Sequence, residues 1–158
     1  MISYLHQSWG QQWDRVCRLL KRVDGPEKGS SNDYDDDLIC FFMQCWHLKD
    51  WIKNDDNLSS TVRDKIKVEI DKDEECKRRY PNLAICADVA NRSKHLKLER
   101  IRVDPFLTNR DITISLGAGS ATCEHTITCA DGSKHNAKEV ARRAVQEWGS
   151  FLRANGLI

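Results

Sequence analysis

Two stretches of this chain place ionisable side chains at helical spacing inside otherwise apolar runs. Between Leu38 and Ile52 and just beyond, His47, Asp50 and Asn54 stand at i, i+3 and i+7, with Lys49 and Lys53 beside them. Between Leu83 and His95, the residues Asp88, Asn91, Arg92 and His95 stand at i, i+3, i+4 and i+7, flanked by Lys94. Each set falls along one ridge of a helix. Burying a charge is costly unless it is paired, so such groups either satisfy one another or serve a site. A histidine titrating near neutrality moves protons, an Arg or Lys holds a phosphate, and an Asn or Asp orients both. That combination suffices for cleavage of RNA through its own 2′-hydroxyl, with no metal and no cofactor. On this reading His95, Asn91, Asp50 and His47 form the catalytic set, and Arg92, Lys94 and Asp88 the substrate-binding set. The same residues also fit a structural role, with His47 as a hydrogen-bonded core histidine and Asp88, Asn91 and His95 as the polar end of their helix.

Other chemistry is less well served. Ser93 stands two residues before His95, and i and i+2 do not face each other on a helix, so the two are no nucleophile–base pair. The seven cysteines form no CxxC pair and no regular framework, which fits free thiols in a reducing compartment. Cys40, Cys45 and Cys86 sit in apolar runs and read as core. Cys123, His125, Cys129 and His135 offer donor types suited to zinc, but on a strand the first three spread over about 20 Å, too far for one ion. The expectation is strand packing, not metal binding.

The elements that must position these residues follow from periodicity. Trp9, Trp13, Val16, Leu20 and Val23 recur at steps of four, three, four and three, the stripe of an amphipathic helix over about 4–23. A Gly-, Pro- and Ser-rich stretch follows, and the acidic run Asp33 to Asp37 then suits the start of a second helix, over about 35–52, that is apolar nearly all round. Thr61 and Asp64 resemble a capping box for a thin third helix through Val62, Ile66 and Ile70. Asn82 suits the cap of a fourth, apolar helix reaching about His95. The two apolar helices have little else to bury against, so they are expected to pack with their polar ridges meeting. Beyond His95 the period becomes alternating, at Ile101 and Val103, at Ile112, Ile114 and Leu116, and at Ile127 and Cys129, which predicts three short strands over about 97–130. Asn136 with Glu139 begins a last helix through Val140, Ala144, Val145, Trp148, Phe151 and Leu152, closed by Asn155-Gly156.

A helical domain with a polar residue on its central helix, and on a later helix a polar residue followed closely by His, resembles the HEPN superfamily. The run that carries the likeness is Ala90-Asn91-Arg92-Ser93-Lys94-His95, in which Asn91 and His95 match and Ala90 stands where those motifs carry Arg. The resemblance covers about residues 1–96. It implies a metal-independent ribonuclease, often dimeric, of the toxin–antitoxin, phage-defence or RNA-processing kind. The strings His47 to Trp51 and Asn91 to His95 also look like those of uncharacterised bacterial proteins.

Composition sets the outer bounds. The chain has 158 residues, 40% hydrophobic and 31% charged, with 25 basic against 24 acidic residues, giving a net charge of +1. That is enough for one folded domain, and it gives no global reason to sit on nucleic acid or an anionic membrane. Contact with RNA must then be local, at the α-helical ridge or at the basic strings Lys77 to Arg79 and Lys97 to Arg102. No apolar run approaches the ~20 residues that span a bilayer. The opening Met1 to His6 has neither a basic start nor an apolar stretch, so neither a signal peptide nor membrane association is expected, and the compartment expected is the cytoplasm. The reading is therefore an α+β fold over 1–158, with four helices to about residue 96, then a small antiparallel sheet and a C-terminal helix over it. The competing function is a non-catalytic module that binds a protein partner or a second copy and keeps the polar cluster for structure.

Overall fold

A computed structural model describes residues 8–25, 31–94, 105–114, 121–129 and 131–158. The fold is α+β, as the sequence predicts. Helix α1 spans Trp9–Asp24, α2 Ser31–Lys53, α3 Ser60–Lys65, α4 Asp73–Arg79, α5 Pro81–Lys94 and α6 Ala137–Ala154. Strands β1 (Pro105–Ile114), β2 (Ala121–Cys129) and β3 (Lys134–Asn136) form an antiparallel sheet in the order β1-β2-β3.

Helix α2 is the centre of the core. Tyr34, Leu38, Phe41, Phe42, Cys45, Trp46, Leu48 and Ile52 are buried around its circumference, and it packs on α1, α3, α5 and α6. Helix α1 turns slightly from its expected stripe: Gln12, Val16, Leu19 and Val23 are buried, while Trp9, Trp13 and Leu20 lie at the edge of the core. Gln12 is tolerated inside because its Nε2 donates to the Gln44 backbone carbonyl at 3.0 Å and side-chain Oε1 at 2.9 Å.

The helices differ from the expectation in detail. The cap of α3 is Ser59, whose side chain accepts from the Val62 amide, two residues before Thr61. The helix expected through Ile70 changes at Ile66 into a π-helical turn that runs to Ile70. Helix α4 was not expected at all. It buries only Cys76, so it has no stripe to reveal it. Acidic Asp73, Glu74 and Glu75 in its first turn and basic Lys77, Arg78 and Arg79 in its last suit the helix dipole, and Glu75 bridges Arg78 and Arg79. The basic string there belongs to a solvated, internally paired face.

The sheet also differs in detail. Strand β1 runs unbroken from Pro105 to Ile114, with Pro at its first position, where no ladder donor is needed. A bulge at Thr108 shifts its register against β2. The strand expected at Ile101 and Val103 lies outside the described residues. The third strand is β3, past the expected end of the sheet. Gly132 at φ +82° makes that turn, and Cys129 bonds across it to Ser133 at 2.8 Å. His125, Ile127 and Cys129 point inward from β2, and Asn136 caps α6 through the Glu139 amide at 3.1 Å.

Helix α6 does more than cover the sheet. It packs on α1, α2 and α5 as well as β2 and β3, and one hydrophobic cluster joins residues of α1, α2, α3, α5, β2 and α6. Its direction fixes that of α5. Lys138 lies 5.3 Å over the Tyr34 ring and Trp148 Nε1 donates to the Cys45 carbonyl at 3.0 Å, so α6 runs parallel to α2. The Tyr80 ring lies 6.4 Å from that of Phe151, while Glu147 binds Asn82 and Leu83, so α5 runs antiparallel to both.

Candidate functional site

The two polar ridges sit on helices that pack against each other, with the thiols of Cys45 and Cys86 in contact where they cross. Because the helices are antiparallel, the ridges run apart from that point. Asp50 lies five positions beyond Cys45 and Asn91 five beyond Cys86, in opposite directions. At 1.5 Å per residue that separates them by about 15 Å along the axes. By this spacing Asp50 and Asn91 lie on opposite sides of the crossing, whereas His47 and Asp88, each two positions beyond its cysteine, stay close to it. Helical spacing places residues on a face but carries no information on the direction of the neighbouring helix.

At its own end of α2, Asp50 belongs to an ion-pair network. It lies 3.0 Å from Lys49 Nζ and 3.3 Å from Lys53 Nζ, and both lysines reach Asp71 at 2.9 Å. Lys49 also lies 4.9 Å over the Trp46 ring. Burial pulls the Asp71 carboxyl upward, but the hydrogen bonds from Lys49 and Lys53 more than offset it and hold its pKa below the usual carboxylate range. Burial likewise pulls Lys53 down, and Asp71 with Asp50 raises it on balance. His47 is half-buried on α2, and Asn54, in the turn just past its end, is exposed.

The other end is built by α5. Every residue from Leu83 to Ala90 is buried, Asp88 included. Asn91 is then half-buried and Arg92 exposed, so the helix emerges from the core at the motif. Ser93 Oγ donates back to the Ala90 carbonyl at 2.7 Å, a local side-chain bond to the backbone within the last turn of the helix. Lys94 is the last helical residue. His95 and the basic string from Lys97 to Arg102 lie outside the described residues. Ala90 is 1% exposed, so the position where the resemblance expects an Arg faces the core.

The start of α5 is held from α6. Pro81 opens it, as suits a residue without an amide hydrogen, and Asn82 lies within its first turn, not at the cap. The cap is supplied by Glu147, which accepts from Asn82 N at 3.1 Å, Asn82 Nδ2 at 2.7 Å and Leu83 N at 2.9 Å. Burial raises the Glu147 carboxyl above its ordinary value despite the hydrogen bonds from Asn82 and Leu83, which lower it.

Three features escaped the sequence reading. The Glu147 cap and the Asp71 bridge are long-range contacts with no local signature. The third is the pairing of His125 on β2, a residue expected in strand packing, whose Nε2 lies 2.8 Å from Asp35 Oδ1 at the start of α2, with its ring 4.7 Å from that of Tyr34. Its alternation with Ile127 and Cys129 was the available signal. Cys17, Cys40, Cys45, Cys76, Cys86 and Cys129 are free thiols, and burial, then the neighbouring Cys45, pushes the Cys86 thiol well above its ordinary value, which makes it unreactive. Among the described residues, no three His, Cys, Asp or Glu side chains gather as a metal ion requires, and no helix is long and apolar enough to cross a membrane. Compared with known proteins, the chain matches no family model, no curated protein and no solved structure.

Proposed function

We propose that the emerging end of α5 acts on RNA without a metal, in the manner of the HEPN-like ribonucleases its motif resembles. The observation that carries this reading is the change from a fully buried helix, Leu83 to Ala90, to the half-buried Asn91 and exposed Arg92. A helix that ends this way holds its polar residues on a rigid support at the surface. Arg92 and Lys94 would bind phosphate, Asn91 would orient it, and His95 would act as general acid or base for attack by the 2′-hydroxyl. Asp50 is left out of that set and belongs to the network with Lys49, Lys53 and Asp71.

The test is incubation of purified protein with single-stranded RNA in excess EDTA. The reading expects fragments ending in 2′,3′-cyclic phosphate, and a loss of roughly 10²-fold or more in rate for His95→Ala, with an unchanged melting temperature. Absence of cleavage by the wild-type protein would overturn it.

One observation favours a second reading, a non-catalytic module that binds a protein partner. Ala90 is 1% exposed, so the arginine of the motif is replaced by a residue that fits the core. On that reading Asp88, Asn91 and His95 only terminate the helix, and His95→Ala lowers the melting temperature while no RNA is cut.

A further inference from the structure

We draw no further inference here: the strongest candidate, the cleft of about 480 Å³ between the start of α1 and the end of α2 that Asp50, Trp51, Asp55 and Asp56 line, is an acidic cluster whose carboxylates already engage Lys53, Asn57 and Arg63, and no second observation there points to a ligand.

Discussion

The Glu147 carboxylate of α6 accepts the backbone amide of Leu83 at 2.9 Å, and so closes the first turn of α5 from a different helix. The apolar run of α5 needs this support. Its first amides are part-buried, and a buried donor left without a partner costs about 1–3 kcal/mol. One contact thereby fixes both the start of α5 and its direction against α6.

Glu147→Ala should therefore lower stability by about 1–3 kcal/mol, and Glu147→Gln by less, because the amide oxygen still accepts. Denaturant titration of both variants measures the difference, and equal losses would refute the capping role. The pH dependence has a definite sign. Burial raises the folded-state pKa of Glu147, so the folded chain holds this proton more tightly than the unfolded chain. Its contribution is greatest below the unfolded value and is lost as pH rises through the raised one. Glu147→Gln should remove that part of the pH profile.

Asp71 behaves in the opposite sense. Its carboxyl is held low by Lys49 and Lys53 against the pull of burial, so its contribution is present above the ordinary Asp range and disappears as pH falls through the depressed value. Asp71→Asn should cost about 1 kcal/mol at neutral pH, a modest figure for a bridge that solvent still reaches. The two proteins should converge in stability at strongly acid pH. A constant gap across the titration would mean that shape, not charge, carries the effect of Asp71.

Much of this architecture was legible in the sequence, and the limits have a physical cause. Periodicity found α2 and α5 because each buries a broad apolar surface, and the Asn136 cap because its partner Glu139 lies three residues on. It missed α4, whose one buried side chain is Cys76, and β3, whose Lys134-His135-Asn136 has no apolar alternation. The site was only half legible for the same reason. Asn91 and Arg92 share a ridge with Asp88 by local spacing, whereas the separation of Asp50 from them depends on the antiparallel course of α5, which Glu147, Tyr80 and Phe151 establish through tertiary contact.

Ala90→Arg tests the resemblance directly. The substitution restores the motif's arginine, but at a position 1% exposed. A guanidinium forced into that core without a partner should cost about 3 kcal/mol or more. A large fall in the thermal midpoint is expected. A well-folded variant that cleaves RNA faster than the wild type would show instead that the side chain escapes to the surface, and would strengthen the ribonuclease reading.

Arg92 and Asp50 separate the two ends of the bundle. If α5 meets RNA where it leaves the core, Arg92→Ala should weaken binding to all single-stranded sequences alike and reduce the dependence of log affinity on log salt by about one unit, as loss of one phosphate contact does. Stability should barely change, since Arg92 is exposed. Asp50→Ala should do the reverse. It removes one of the two carboxylate partners of Lys49 and Lys53, at 3.0 and 3.3 Å, about 15 Å along the axes from Asn91, so stability should fall by up to about 1 kcal/mol while RNA affinity stays within about twofold. Fluorescence anisotropy with a labelled oligonucleotide at several salt concentrations reads both variants. Affinity that falls with Asp50→Ala and not with Arg92→Ala would move the contact to the other end of α2 and sink the proposed site.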